Sequence, residues 1–534
     1  MAKGYRPVQR DQPCLLPLDM REWLSENHLV WFVIEAVDEL DTGVFEQGRR
    51  TGGRGAAGYD PRMLVVVLVY AYCQGVRSSR QVERLCHTDV AFRVACAATV
   101  PDHTTVARFR NQHTEAFTTL FAQVLGMAGR LGMGRFGTVA IDGTKIAANA
   151  SGSANRGEQW LDEQLAAQVV AQARALDAAE DECEPPRTDK GPDRTDRRGR
   201  VRRAAAQVAA AQQERAAGRA VGDQRAQERL AKVRAGEPVT GKRPRGQAGV
   251  VEAQARVDQV VAAHQARIDA YERKCAAHPT PPPRSRATGR PMGRRPVPVD
   301  EHYLVVRARR QLAKAQDSAR RAAERDAKAD QTLVANTTDP DSRLMPTRKG
   351  FVQGYNTQVA VTADQLIVAV QVIQDTHDLA SFVPMMTAAR QAATTLHQAT
   401  ANPDHTIGVV LADAGYCTHA NLVAEGPDRL VATANGRATA KAATTSPTHG
   451  PPGEDLDARQ AMDHRLRTPE GAATYKRRGA TVEPAIGNLK KILDHFSCRG
   501  IEAVTGEANL AAAVFNLLRI YRTRPARTVA LATA

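Results

Sequence analysis

The sequence is poor in aromatic residues and in long apolar segments, and both shortages exclude classes of protein. Aromatic residues make up 4% of the 534 residues, too few to favour a membrane-surface protein, because amphipathic surface helices bury large apolar side chains in lipid. The longest strongly apolar run, Met63 to Tyr72, is about half of a membrane span. We therefore predict a buried helix in this run and no membrane association.

The chain also lacks paired cysteines, an apolar leader and a nucleotide-binding loop. Its eight cysteines are scattered and form no CxxC pair, which is typical of a reducing compartment. The first residues, MAKGYRPVQRDQP, lead into a charged and polar stretch, so no signal peptide is visible and we expect a cytoplasmic protein. No Walker-type glycine-rich loop is present, so ATP-driven chemistry is not indicated.

Positive charge, in contrast, is abundant. Lys and Arg total 73 against 58 acidic residues, which gives a formal net charge of +15 and a pI of about 9.7. Such an excess favours a polyanionic partner, and nucleic acid is the first candidate.

Residues 1–130 are predicted to form an all-α N-terminal DNA-binding domain. Pro61 is suited to the first turn of a helix, and Asp102 is suited to cap the segment HTTVARFRNQH. Short helices joined by tight turns resemble a helix-turn-helix unit, whose last helix would present Arg108 and Arg110 to DNA. A small bundle with solvated arginines is an equally good interpretation of the same pattern.

Residues 152–344 are predicted to be a long helical, partly disordered insertion. This territory is rich in Ala, Arg, Gln, Glu and Asp and nearly loses its large apolar residues. Narrow apolar stripes predict helices over 159–182 and 250–274, in a hairpin or coiled coil. The proline-rich segment 279–298 carries five arginines and no acidic residue, which predicts a disordered basic linker able to contact phosphates. A solvated spacer without a partner is as consistent with it.

The flanking segments 131–151 and 345–522 are predicted to form one discontinuous α/β domain, followed by a flexible tail at 523–534. The strand-like runs GTVAID, FVQGYNTQVAVTA, LIVAVQVIQ, IGVVLAD and RLVATA alternate with helical patterns. They give the order β-β-β-α-β-α-β-α, with the insertion between the first and second strands. Asp378 is predicted to cap the first helix, and Pro484 to break a long helical pattern over 469–496.

Three acidic residues stand where such a domain would place an active site. Asp142 and Asp413 each follow an apolar strand and lie beside a glycine, and Glu483 lies in a late helical segment. Carboxylates at strand ends project into the crevice of an α/β sheet, and three of them without Cys or His are hard ligands suited to Mg²⁺ or Mn²⁺. We expect the three carboxylates to converge. Taken singly, each would be an ordinary turn or surface residue.

The residues around these acids resemble a known family, the bacterial insertion-sequence transposases with an RNase H-like DDE catalytic core and an InsH-type N-terminal domain. VAIDGTKIAANAS and LADAGY are similar to the two aspartate motifs of that family. Its Tyr-Arg-Glu-Lys signature maps onto Tyr475, Arg478, Glu483 and Lys490, with six residues between Glu483 and Lys490 as the family pattern implies. Four residues separate Arg478 from Glu483, one more than the commonest form, so Arg477 is an alternative.

The resemblance covers residues of about 10–150 and 335–522 and implies an α/β fold with an RNase H-like mixed sheet core. It implies cleavage at transposon ends by water, followed by attack of the freed 3′-OH on target DNA. Two Mg²⁺ ions, with Mn²⁺ as the alternative, would be held by the three acids. Lys490, Arg478 and Tyr475 would hold DNA near the cut. We expect double-stranded DNA as the partner, at terminal inverted repeats and target, and a nucleoid-associated homodimer.

Two other functions stay open at the level of sequence. One is a metal-dependent nuclease on the same core without strand transfer, and the other is a catalytically inactive DNA-binding derivative. Asn356 and Gln358 alternate onto one face of their strand. They are either DNA contacts or, as we favour, ordinary polar residues of a sheet face.

Overall fold

The computed structural model describes residues 19–46, 58–181, 197–277, 295–331, 333–347 and 350–523. The chain divides into two compact units, one made of Met1–Ala154 with Thr338–Ala534 and the other of Asn155–Thr337. Residues 278–294 of the predicted basic linker and 524–534 of the predicted tail lie outside the described residues.

The described residues ahead of the first strand are helical. Asp60 caps the second helix with Pro61 in its first turn, and Asp102 accepts hydrogen bonds from the backbone of Thr104 and Thr105 at the start of the fifth, so both predicted helix starts are confirmed. The α-helices are α1 (Leu29–Asp38), α2 (Pro61–Cys73), α3 (Ser79–Thr88), α4 (Val90–Ala95), α5 (His103–Gln112) and α6 (Thr114–Arg130), and the strand β1 (Thr138–Ala147) follows them.

The second unit contains four long helices and a two-stranded sheet. Its elements are β2 (Asn155–Gly157), α7 (Glu158–Asp181), α8 (Arg197–Arg234), α9 (Gln247–Ala277), α10 (Tyr303–Gln331) and β3 (Val334–Asn336). The helices α7 and α9 lie where the apolar stripes predicted helices. The other two were not predicted, because Ala, Arg and Gln favour a helix without leaving an apolar stripe in the sequence. The antiparallel pairing of β2 with β3 brings the two ends of this unit together.

The remaining elements follow the predicted order up to the last strand, with one additional strand ahead of the hairpin, and four α-helices follow that last strand among the described residues where one was predicted. They are β4 (Arg343–Thr347), β5 (Gly350–Thr362), β6 (Ile367–Ile373), α11 (Phe382–Thr400), β7 (Val409–Ala412), α12 (His419–Val423), β8 (Asp428–Val431), α13 (Gly436–Thr445), α14 (Ala458–Arg467), α15 (Pro469–Ile492) and α16 (Ile501–Thr523).

The main sheet is mixed and has the order β4-β5-β1-β7-β8, with β6 also paired to β5. The strand β1 runs antiparallel to β5 and parallel to β7. Its parallel pairing ends at Ala140, opposite Leu411, whereas its antiparallel pairing continues to Ala147. The sequence predicted that Asp142 ends its strand, and this prediction is wrong, because β1 continues to Ala147. Asp142 lies just beyond the point where β7 stops, because the longer β5 keeps β1 extended.

The helices of the first 130 residues share their hydrophobic core with this sheet. Helix α16 packs against α6, α2 and β6, and one continuous cluster of buried apolar residues includes all of these elements. The N-terminal helices therefore belong to the same compact unit as the sheet. Within the described ranges, no helix combines the length and apolar character needed to cross a membrane.

Helix α15 continues through Pro484, where the sequence predicted a break. Proline lacks an N–H and leaves the carbonyl four residues earlier without its helical donor. That carbonyl belongs to Ala480, and it accepts a hydrogen bond of 3.4 Å from the side chain of Gln365. A side chain from the β5–β6 turn thus replaces the missing backbone donor, which is information that the local sequence of the helix does not contain.

Candidate active site

Two of the three predicted acids lie side by side on neighbouring strands. The last parallel pair of β1 and β7 is Ala140 with Leu411, and Asp142 and Asp413 each come two residues later. The side chain of Asp413 is fixed by the amide of Gly415, which donates to its Oδ1 at 2.8 Å. Asp142 Oδ1 accepts from the amide of Gly143 at 2.9 Å. The sheet therefore positions both carboxylates at the same height, just beyond the last parallel pair of β1 and β7.

Arg478 of α15 lies between these two carboxylates. Its Nη2 is 3.1 Å from Asp142 Oδ2 and 3.7 Å from Asp413 Oδ2. The Arg478 side chain is 13% exposed, and its Nε is buried without a hydrogen-bond partner among the described residues. One cation is thus shared by two acidic groups.

Burial dominates the electrostatics of Asp142. Its side chain is 20% exposed, and burial raises the pKa of Asp142 to about 6, opposed by Arg478 and reinforced by Asp413 and Asp378. Loss of hydration disfavours the charged form, so the nearby guanidinium only partly compensates for the burial. The pKa of Tyr475 is also raised, mainly by burial, with Arg478 opposing and both aspartates reinforcing the shift. Tyr475 therefore lies close to the same acidic pair.

Asp378 is a third acid at this site, and the sequence analysis assigned it a different role. It occupies the N-cap position of a short 3-10 helix before α11, but its side chain makes no capping hydrogen bond. Instead, its Oδ1 accepts from the Nδ2 of Asn356 and the Nε2 of Gln358, each at 2.7 Å, and lies 3.4 Å from Lys145 Nζ. The prediction that the Asp378 side chain caps the helix is wrong, because donors from β1 and β5 hold its carboxylate against the sheet.

Asn356 and Gln358 are fully buried. Their amides donate to Asp378, and the hydroxyl of the buried Tyr416 donates to the Oε1 of Gln358. Neither amide is available to DNA on the surface, so the interpretation that they are polar residues of a sheet face fits the structure. They do more than fill that face, because together they orient the carboxylate of Asp378.

Glu483 and Lys490 are both exposed on α15. The carboxylate of Glu483 lies against Gly479 of the same helix, with Oε1 3.4 Å from the position that a Cβ would take there. Glu483 comes five positions after Arg478 in the chain, which is about 140° around an ideal helix. Arg478 thus faces the two aspartates, whereas Glu483 points away from that direction and does not join them in this structure.

The two predicted DNA-binding arginines of α5 occupy different environments. Arg108 is exposed. Arg110 is 5% exposed, and its Nη1 donates to the backbone carbonyl of Arg77 at 2.7 Å and to the hydroxyl of Tyr72 at 3.3 Å. Tyr72 in turn donates to Glu507 at 2.6 Å. The guanidinium of Arg110 is turned into the core, contrary to our expectation, because a buried acid and hydroxyl hold it there.

The acids fit a hard divalent cation with some ligands supplied from outside the chain. Across the part of the chain that the structure describes, no three His, Cys, Asp or Glu side chains are close enough to hold a metal ion together. Mg²⁺ is usually bound by one or two carboxylates, with water and substrate phosphates completing its shell. Asp142 and Asp413 already share a cationic partner in Arg478. The residues that would hold such an ion are these two.

The position of Asp378 in the sequence indicates a site residue as well as the helix cap that we predicted. Asp378 follows a predicted strand at a short distance, as Asp142 and Asp413 do, and the same strand-end argument applies to it. Lys145 was overlooked as well, although it comes three residues after Asp142. On a strand, side chains an odd number of residues apart point to opposite faces, so spacing alone would not have assigned Lys145 to this site.

Comparisons with known proteins identify two segments. A family model described as a transposase domain (DUF772) matches residues 18–112, and one described as a transposase DDE domain matches residues 451–521. The second match contains Arg478 and Glu483 but neither Asp142 nor Asp413. A DDE domain implies an RNase H-like fold, in keeping with the mixed sheet. Neither the curated proteins nor the solved structures gave a match.

Proposed function

We propose, from the premise that this chain is a DDE-type transposase of a mobile element, that it cuts DNA at the ends of that element and joins them to target DNA. The premise rests on the two transposase domains. The observation that carries the proposal is the pair Asp142 and Asp413, which share the guanidinium of Arg478 at the edge of the sheet. A pair of partly exposed acids that already holds a cation is suited to bind divalent ions and, through them, phosphate oxygens.

The proposed roles follow from the chemistry of each side chain. Asp142 and Asp413 bind the divalent ions, Mg²⁺ or Mn²⁺, and Glu483 completes the set as the resemblance implies. When bound, such ions would activate the attacking oxygen and stabilise the leaving one in phosphoryl transfer. The partial burial of Asp142 limits the access of water, which strengthens the interaction of its carboxylate with any cation.

Arg478 and Lys490 are the proposed phosphate contacts. Both lie on α15, and Lys490 is exposed near the end of that helix. Arg478 lies at the two acids that would hold the ions, and arginine can bind phosphate through two parallel hydrogen bonds. Tyr475, one turn before Arg478, is half-buried beside the same acids and would pack against the DNA near the cut.

The decisive experiment separates chemistry from binding. Asp142→Asn and Asp413→Asn keep the side-chain size but remove a hard anionic ligand, so each should abolish cleavage of a labelled element end in Mg²⁺. Binding of the same end in a gel shift should persist, because removing a negative charge near phosphates lessens repulsion. Asp375→Asn is the matched control, because Asp375 is exposed and should leave cleavage unchanged.

The outcomes distinguish the proposed function from its alternatives. Cleavage by both the Asp142→Asn and Asp413→Asn proteins would refute a metal-dependent mechanism at this site. Cleavage without joining of pre-cut ends by the unaltered protein would identify a nuclease. Absence of both reactions, with retained end binding, would identify an inactive DNA-binding derivative.

The assignment of Glu483 has its own test, because the structure leaves this residue exposed on α15. Glu483→Gln should abolish cleavage if α15 brings its carboxylate to the ions when DNA is bound. Full cleavage by the Glu483→Gln protein would remove it from the ligand set without affecting the roles of Asp142 and Asp413.

The N-terminal helices are the proposed site of end recognition. Arg108 is exposed on α5 and is the residue to change. Arg108→Ala should weaken end binding without affecting Mn²⁺ binding, and unchanged end binding would move recognition elsewhere in the chain. Arg110 is unsuited to this test, because its substitution would remove the buried donor to the Arg77 carbonyl and the Tyr72 hydroxyl and destabilise the core.

A further inference from the structure

We propose that Asp378 supports the metal-binding site as a third carboxylate, held in the space beside Asp413 so that its negative charge adds to those of Asp142 and Asp413. This inference rests on the metal-dependent function proposed above and assigns to that site a residue outside the three acids of the family signature. It is carried by the hydrogen bonds of Asp378, by the origin of its donors and by two glycines that leave room for it.

One oxygen of Asp378 is held firmly by three donors. Its Oδ1 accepts from Asn356 and Gln358 and lies near Lys145 Nζ. A carboxylate oxygen that receives amide and ammonium donors is fixed in place by them. The donors leave the second oxygen, Oδ2, free to face another group.

The orientation of these donors is set from a further layer of the structure. The hydroxyl of Tyr416 donates to the Oε1 of Gln358. The amide nitrogen of Gln358 must therefore face the opposite side, where it donates to both Asp378 and the Oδ1 of Asn356. Because an amide has one accepting and one donating end, the buried Tyr416 prevents Gln358 from turning its oxygen toward Asp378.

Two glycines, one beside each aspartate, leave the space that Asp378 occupies. A Cβ on Gly143 would lie 2.7 Å from Asp378 Oδ1, and a Cβ on Gly415 would lie 3.6 Å from Asp378 Oδ2 and 2.9 Å from Asp413 Oδ1. Both glycines have no positive φ that would demand glycine for backbone reasons. Their small size is explained by the carboxylates packed against them. Oδ2 of Asp378 and Oδ1 of Asp413 therefore face the same small space.

Asp378 also contributes to the field at the other aspartate. Burial is the largest cause of the raised pKa of Asp142, and Asp378 is among the acids that add to it. A third negative charge makes the pair of aspartates more attractive to a divalent cation. It acts through position and field, with no need to ligate the ion itself.

The test is Mn²⁺ binding to the full chain, measured by the electron paramagnetic resonance of free Mn²⁺ without DNA. Residues that support metal ligands typically change affinity by about 10- to 100-fold when removed. Asp378→Asn should therefore weaken Mn²⁺ binding by roughly 10-fold or more, whereas Asp142→Asn should abolish it. Asp375→Asn is the matched control, because Asp375 meets this network only through its backbone carbonyl, which accepts from Asn356.

A second variant keeps every carboxylate in the chain. Gly143→Ala adds a Cβ 2.7 Å from Asp378 Oδ1, and closer still to Gln358 Nε2, so it should displace Asp378 and weaken Mn²⁺ binding in the same direction. Gly487→Ala adds a methyl group to open space on α15 and should leave binding unchanged. Thermal unfolding of each variant checks that the protein is folded, so a loss of affinity in the folded Gly143→Ala protein supports the inference even if Asp378→Asn does not fold.

The outcomes are distinguishable. Mn²⁺ affinity in Asp378→Asn and Gly143→Ala equal to that of the unaltered chain overturns this inference and leaves the proposed function standing. Absence of Mn²⁺ binding by the unaltered chain overturns the metal-dependent function and this inference with it.

Discussion

At the scale of the residue, the site is a balance between burial and charge pairing. Asp142 has one cationic neighbour, Arg478, and two acidic ones, Asp413 and Asp378, and its pKa is nevertheless raised to about 6, with burial as the largest cause. Burial and the like charges therefore outweigh the attraction of Arg478. A carboxylate kept in such surroundings costs stability, and that cost can be measured.

Asp142→Asn should stabilise the protein at neutral pH in the absence of divalent ions. The pKa of Asp142 rises from 3.8 to about 6 on folding, so between these values the native state binds the proton more tightly and stability falls as pH rises. At pH 7.5 the substitution should add about 1–3 kcal/mol to the free energy of unfolding. Urea unfolding in EDTA measures it.

The same substitution should have little effect at acid pH. Below the unfolded pKa, Asp142 is protonated in both states, so the difference between the two proteins should shrink as pH falls from 6 toward 4. A stability gain independent of pH would contradict the assignment of the effect to ionisation. A loss of stability at pH 7.5 would show that the ion pair with Arg478 is the larger contribution.

Arg478→Gln should bind Mn²⁺ more tightly than the unaltered protein when DNA is absent. The guanidinium and a divalent ion compete for the oxygens of Asp142 and Asp413, and a partly exposed ion pair is worth up to about 1 kcal/mol, roughly 5-fold in affinity. Arg477→Gln is the control, because Arg477 is the next residue and is exposed. Equal Mn²⁺ affinity in the two variants would argue against such competition.

At the scale of the element, α15 is the helix that carries the signature residues, and it contains a proline in its interior. The backbone carbonyl of Ala480, which loses its helical donor to this proline, accepts a hydrogen bond from the side chain of Gln365 in the β5–β6 turn. Gln365 itself has a positive φ of 64°, which is unusual for a residue with a Cβ. Gln365 is therefore in a strained backbone conformation, and from this position its side chain stabilises the helix at the carbonyl that Pro484 leaves without a donor.

Pro484→Ala should raise the free energy of unfolding by about 1–3 kcal/mol, because proline in a helix interior costs up to about 3 kcal/mol relative to alanine. The side chain of Gln365 recovers part of that cost in the natural sequence, so the gain should fall short of the full value. Gly487→Ala on the same helix is the control for propensity alone and should gain about 1 kcal/mol. Urea unfolding that showed no gain for Pro484→Ala would indicate that the proline is compensated completely.

At the scale of the whole molecule, most of the positive charge belongs to the second unit. Residues 155–337 contain 36 Lys and Arg against 25 Asp and Glu, so they carry +11 of the net +15. The first unit is nearly balanced by comparison, although it contains the candidate active site. Non-specific DNA affinity comes from phosphate neutralisation and counterion release, so we assign it mainly to the second unit.

Removal of residues 155–337 should weaken the affinity for DNA while leaving metal binding intact. The antiparallel pair β2 and β3 brings the ends of this unit together, so a short linker can join 154 to 338. The shortened protein should keep Mn²⁺ binding, because Asp142, Asp413 and Asp378 belong to the first unit. Its DNA affinity should be weaker, and the slope of log affinity against log salt should be smaller. An unchanged slope would place the phosphate contacts in the first unit.

The sequence by itself determined much of the succession of elements and indicated two acids of the candidate active site. Alternating and continuous apolar runs located most of the strands, and the proline and aspartate at helix starts located Pro61 and Asp102, because these features depend on neighbours along the chain. Asp142 and Asp413 could be expected to lie close together because the carboxyl ends of neighbouring strands meet at one end of a sheet, although β1 continues past Asp142. The residues around Glu483 and Arg478 contributed to the resemblance to transposases, with which the two matching transposase domains agree.

Only the tertiary structure decided which side chains meet. Arg110 is buried by Glu507, nearly 400 residues later, and no local pattern distinguishes it from the exposed Arg108. Asp378 is turned away from its helix by donors on two strands, and α15 passes through Pro484 because a distant turn supplies a donor. In each case a buried polar group is satisfied by a partner remote in sequence, and only the folded chain brings the two together.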